Sequence, residues 1–256
     1  MSPTTRFKDA LKRAVPNPIL FRLSPHAVRN YVRIKTWYTC GRHYAAPIDP
    51  FALIAIEPER VETGMCKDAD RHFSYSNAIP EVKAGDWDRE IRSIAEFDIY
   101  ETFQRRFLDC EPWDRTPFYE RMSRQIDRGR TKWGCETLHD FEERLAVLDE
   151  LYAAIDEYGY KTQTELRRAG DAVATRDIHK YWPPELHEVT VNIDRAGELI
   201  FHDGRHRLFI AKVAGVDKIP VRVKVRHEEW QRRRDERYPQ PGGAHPDLTG
   251  ERVIPR

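Results

Sequence analysis

Apolar residues along the chain follow two periods, and the switch between them outlines the fold. In "TLHDFEERLAVLDELYAAIDEYG", Leu138, Phe141, Leu145, Leu148, Tyr152 and Ile155 recur at spacings of three and four, which puts them on one face of a helix. Thr137 with Asp140 has the form of a capping box, and Gly159 stands where such a helix ends. The helical pattern runs from about 86 to 168. Ahead of it, "FALIAI" at 51–56 is a continuous apolar run closed by Glu57 and Pro58, as expected of a buried strand. Beyond "YWPPE" at 181–185 the period falls to two. Val189, Val191 and Ile193 share one face of "EVTVNI", the polar turn "DRAG" follows, and "ELIFH" at 198–202 reads as the returning strand. A short helix comes next, and then "IPVRVKVRH", a last strand that divides Val221, Val223 and Val225 from Arg222, Lys224 and Arg226.

The order strand, helices, hairpin, helix, strand predicts an α+β (mixed α/β) fold, a small sheet with a large helical insertion. The domain plan is a basic N-terminal arm over 1–50, one domain over 51–236 with its insertion at 86–180, and a tail over 237–256. That tail is rich in Pro and Gly and is expected to be flexible.

Composition narrows the function classes. With 256 residues, 40% hydrophobic and a net charge of +1, the chain can bury a core and carries no global field for nucleic acid. Residues 1–43 hold nine Lys or Arg against Asp9 alone. "FKDALKRAVPNPILFRL" within them fits a short amphipathic helix stopped by Pro16 and Pro18, so peripheral contact with an anionic membrane is one expectation and a solvated arm the other. No apolar run of spanning length or secretion signal is present, and a cytoplasmic setting is expected. Cys40, Cys66, Cys110 and Cys135 lack metal-site spacing and read as separate thiols.

The densest chemistry lies in "HDGRHRLFIAKVAG" at 202–215. A glycine ahead of a helix lets an anion approach amides that have no intrahelical partner, and Arg205, His206 and Arg207 can add charge-assisted hydrogen bonds around it. Asp203 would repel an anion, so in this reading it orients Arg or His, holds Mg²⁺ or accepts a proton. The competing reading is a plain Asp-Gly turn with Asp203 as a helix cap.

"DGRHRLFIAKVAGVDKIPVRVKV" resembles the core of the ParB/sulfiredoxin superfamily, and "LIAIEPERV" at 53–61 resembles its first strand. The resemblance covers about 51–62 and 188–226. It implies a ParB/sulfiredoxin-like sheet with a phosphate-binding turn at Gly204, Arg205, His206 and Arg207. Where sulfiredoxins carry their cysteine this chain has Arg205, so sulfinate chemistry is not expected. Only 30 residues follow Arg226, too few for the helix-turn-helix domain with which ParB proteins read DNA, so DNA is not an expected partner. The turn resembles that of the free serine kinases, an Asp-Gly-His-His-Arg motif that Asp203, Gly204, His206 and Arg207 match. It implies a nucleotide-dependent phosphotransferase using ATP, ADP or CTP with Mg²⁺, in which a glutamate after the first strand, Glu59 or Glu62, acts as base beside Asp203 and His206. The middle region, including "AGDWD" and "KWGCETLHD", resembles ParB-like proteins found near surface-polysaccharide genes, which implies a small hydroxylated acceptor such as a sugar or glycan precursor. A non-enzymatic, CTP-binding ParB-like switch is the alternative.

Three further stretches carry two readings each. Asp86 and Asp88 around Trp87 fit a shared metal or sugar hydroxyl, or a structural turn over a buried Trp. Lys132 and Trp133 fit an acceptor's charge and sugar face, or Trp133 is core and Cys135 a buried filler. "RHEEWQRRRDERY" at 226–238 reads as a self-compensating solvated helix, with Arg226 and His227 within reach of the pocket as the alternative. His139, His179 and His187 read as isolated structural histidines.

Overall fold

The computed structural model describes residues 25–66, 78–131, 133–170, 182–240, 242–249 and 253. It is a mixed α+β fold. The helices are α1 (Pro25–Thr39), α2 (Asp98–Phe107), α3 (Pro117–Asp127), α4 (Leu138–Tyr158), α5 (Gln163–Ala169), α6 (Arg205–Val213), α7 (Glu228–Arg237) and α8 (Pro246–Thr249). The strands are β1 (Leu53–Ile56), β2 (Thr63–Met65), β3 (Glu81–Lys83), β4 (Ile91–Ser93), β5 (Val189–Ile193), β6 (Leu199–Asp203) and β7 (Ile219–His227). One sheet runs β1-β7-β5-β6-β2-β4, with β3 also on β7. The β5–β6 hairpin is antiparallel, while β7 lies parallel to β5 and β3 and antiparallel to β1. In the hairpin turn, Asp194 Oδ1 accepts the amides of Ala196, Gly197 and Glu198 at 2.7–2.8 Å. Gly197 has φ 105°, and a Cβ there would stand 2.4 Å from the Trp230 ring.

One face of the sheet, with Val189, Val191, Ile193, Leu199, Phe201, Val221 and Val223, packs on α2, α3, α4 and α6 through Ile99, Phe103, Phe118, Met122, Phe141, Leu145 and Leu208. The insertion expected to be helical from 86 opens instead with a 3-10 turn at Trp87–Arg89 and then β4, which pairs with β2 at the sheet edge; its α-helices begin at Asp98. Within it α4 starts at the Thr137–Asp140 capping box and stops at Gly159.

The cationic row of β7 is buried. Arg222 Nη1 donates to Ala78 O at 3.5 Å, and Lys224 Nζ donates to Ile79 O at 2.6 Å and to Glu81 Oε1 at 2.8 Å. A second layer of chain covers this face, and with α1 it builds a smaller core of Val28, Val32, Phe51, Ala78, Ile79 and Leu186. Both ends of the described chain pack against this layer. From Pro25 onward the basic arm is part of the fold, with Arg29 on Glu185 at 2.7 Å; the amphipathic stretch at 7–15 lies outside the described residues. Within the tail, Asp247 of α8 is buried and accepts from Arg226 (2.6 and 2.9 Å) and Trp230 (3.0 Å), which holds its carboxyl down at about 2. Arg226 is therefore a structural residue.

Candidate functional site

The helix α6 forms because Leu208, Phe209, Ile210 and Ala211 are all buried, between the sheet and helices α2 and α4, and it begins at Gly204, whose φ of 88° is a left-handed conformation that L side chains resist. A Cβ at 204 would also stand 3.1 Å from Val189 Cα. The first intrahelical bond is Leu208 N to Gly204 O, so the amides of Arg205, His206 and Arg207 precede the ladder. No side chain caps them and no acid sits in the first turn. Asp203 Oδ1 accepts the amide of Gly204 at 2.7 Å, and its charge acts on both Arg207 and Arg222.

A cleft of about 360 Å³ opens beside this turn. Arg205 and His206 form one wall; Phe118, Arg121, Met122 and Gln125 of α3, with Arg130 and Trp133 beyond it, form the other. No acid lines it. Arg121 is ion-paired with Asp98 and lies 5.1 Å over the Phe118 ring. Trp133, at φ 55°, holds a strained left-handed backbone and brings its ring to 4.9 Å from that of His206. Burial, with Arg205, Arg144 and Arg207 adding to it, pushes the imidazole of His206 down to about 3, so at neutral pH it enters the cleft as a neutral donor or acceptor.

Arg207 points away from the cleft. Nη1 donates to Glu188 Oε2 at 3.1 Å and to Tyr160 Oη at 3.3 Å, and Nη2 donates to the His187 carbonyl. Glu188 Oε1 also takes the Gln163 amide at 2.5 Å, yet burial outweighs these partners and lifts its carboxyl to about 7. Arg207 thus anchors α6 to the segment that enters β5.

The two glutamates are not brought to the turn. Glu59 pairs with Lys212 Nζ at 3.1 Å, at the other end of α6, and Lys212 also donates to Pro58 O and Val61 O. Lys212 is seven residues from Arg205, about 10 Å along the helix. Thr63 of β2 pairs with Ile200, so Glu62 lies level with Leu199, about 13 Å of strand from Asp203. Of the proposed set, Asp203, Gly204, Arg205 and His206 share the turn.

Of the side candidates, the acidic pair and the isolated residues are held in structural contacts, while Trp133 lines the cleft. Arg195 gathers Asp86 (2.7 Å), Asp88 (2.7 Å) and the Gly85 carbonyl (3.0 Å) into a clamp over buried Trp87. Cys135 is buried, His139 is exposed beside Glu143, and His227 caps α7; Lys132 and His179 lie outside the described residues. Arg121 and Arg130 were not anticipated. The signal was present, because Phe118, Arg121, Met122 and Gln125 sit at i, i+3, i+4 and i+7, one helix face mixing aromatic, cationic and amide groups. Among the described residues no group of three or more His, Cys, Asp or Glu could hold a metal ion. Compared with known proteins, the chain matches no protein-family model, no curated protein and no solved structure.

Proposed function

We propose that the chain is a nucleotide-dependent phosphotransferase acting on a small hydroxylated acceptor, a sugar or glycan precursor by the resemblance of its middle region. The observation that carries this reading is the cleft, with no acid among its described lining residues, in which Arg130 and Arg205, Arg121 on its Asp98 partner, and the rings of Phe118 and Trp133 meet the start of α6. A polyphosphate finds amides, a helix dipole and guanidinium groups there, and a planar base finds aromatic surface. Asp203 is the carboxylate at the turn. In the transfer the acceptor oxygen attacks the terminal phosphorus, the bond to the leaving nucleotide (a nucleoside diphosphate from ATP or CTP, a monophosphate from ADP) breaks, and the hydroxyl proton passes to Asp203. Mg²⁺, which is held by one or two carboxylates together with substrate phosphates, would be shared by Asp203 and the nucleotide and would offset phosphate charge.

The second reading, a non-enzymatic CTP-binding switch, is favoured by the distance of Glu59 and Glu62 from the turn. A thermal-shift and turnover screen with ATP, ADP and CTP plus Mg²⁺ separates the two. The enzyme reading expects turnover that Asp203→Asn abolishes while nucleotide binding survives, and Arg205→Ala to weaken binding by about tenfold or more. Binding with no turnover selects the switch. No response to any nucleotide removes both.

A further inference from the structure

Helix α1 carries two apolar stripes where packing needs one. Val28, Val32, Thr36 and Cys40, four residues apart, are buried against the domain. On the opposite side Ala27 is exposed, Ile34 is 67% exposed and Trp37 is 61% exposed, the last two a single turn apart. A surface helix ordinarily turns charged and polar groups outward. Large apolar side chains grouped on an outward face mark contact with something else.

The charges around this stripe say what. The sequence from 25 to 43 contains Arg29, Arg33, Lys35 and Arg42 and no acid. Glu185 takes up Arg29. Arg33 and Arg42 are exposed, and Lys35 is half-buried along the Tyr31 ring. The Arg42 guanidinium lies 4.4 Å from the centre of the Tyr38 ring. Ahead of α1 the sequence adds Arg6, Lys8, Lys12, Arg13 and Arg22 against Asp9. An exposed Trp and Ile flanked by cations, without an acid among them, are complementary to the headgroup region of an anionic bilayer, where a Trp ring sits at the interface and the cations meet lipid phosphates. Among the described residues no helix is long and apolar enough to cross a membrane.

We propose that the outward face of α1 docks the protein on an anionic lipid surface, with Ile34 and Trp37 entering the interface and the exposed Arg33 and Arg42 paired with headgroups. Each cation at such a surface strengthens binding by about fivefold, and the two apolar side chains together by at least about tenfold. This proposal stands apart from the chemistry at α6, and neither depends on the other.

The test is sedimentation of the full chain with vesicles of phosphatidylcholine alone and of phosphatidylcholine mixed with phosphatidylglycerol. Binding to the mixed vesicles only, weakened by salt, is expected. Ile34→Ser with Trp37→Ser should lower partitioning about tenfold or more with an unchanged melting temperature, since both side chains are exposed. Arg33→Gln with Arg42→Gln should lower it in the mixed vesicles. A blue shift of fluorescence on vesicle addition that is lost in Trp37→Phe locates the contact. Equal binding to both vesicle types, or full binding by the Ile34/Trp37 variant, would overturn the proposal. So would light scattering showing that the same variant splits a dimer, which would assign the stripe to a second copy of the chain.

Discussion

Two arginines on the first turn of α6 live in opposite surroundings. Arg205 is exposed at the mouth of the cleft, whereas Arg207, about 200° further round the helix, is enclosed by Glu188, Tyr160 and the His187 carbonyl. Their contrast separates what holds the turn in place from what the turn can offer a ligand. An enclosed guanidinium whose donors are already used fixes α6 against β5. An exposed one beside uncapped amides keeps its donors for an anion.

The sharpest way to break this contrast is to remove each side chain in turn. Arg207→Met strips a buried carboxyl of its cation and should cost about 3 kcal/mol, read from denaturant unfolding. Arg205→Met, at an exposed position with no buried partner, should change stability by less than about 0.5 kcal/mol. Equal losses from the two would mean that both arginines are structural and that the cleft has one cation fewer for a ligand.

Stability against pH sharpens the contrast further, because the two sides of the turn have slopes of opposite sign. His206 is depressed from 6.5 to about 3, so its contribution is complete above 6.5 and is lost as the pH falls toward 3. Glu188 is raised from 4.5 to about 7, so its contribution is complete below 4.5 and is lost as the pH rises through 7. Between these limits the two oppose one another. In Glu188→Gln the His206 slope remains and stability should rise with pH from 4.5 to 6.5; in His206→Gln the Glu188 slope remains and stability should fall. Melting temperatures of the two variants across that range check both signs.

Much of this architecture is legible in the chain because it is local. The cap and stop of α4, the β5–β6 hairpin and the start of α6 at Gly204 each follow from residues within a turn of one another. What is not legible depends on partners far along the sequence. The alternation of "IPVRVKVRH" separates the Val row from the Arg and Lys row, but it does not tell water from a second layer of chain, and residues 78–81 and 247 supply that layer. Nor does the order Arg205, His206, Arg207 reveal which cation is consumed, because Glu188 lies 19 residues upstream. The cleft draws its other wall from α3, about 80 residues before the turn.

The smallest expected effect bears on Glu59, and it decides where a proton could go. Its carboxylate is 72% exposed, and the Lys212 ammonium it meets keeps the carbonyls of Pro58 and Val61 as acceptors when the carboxylate is gone. Glu59→Gln should therefore cost well under about 1 kcal/mol, as exposed ion pairs do. On the proposed phosphotransferase reading, in which Asp203 is the base and Glu59 lies at the far end of α6, turnover on any accepted nucleotide should stay within about twofold of the parent. A collapse of turnover with nucleotide binding intact would show that the working arrangement closes the length of α6 between them. In that case the glutamate after β1, not the aspartate at the turn, would receive the proton.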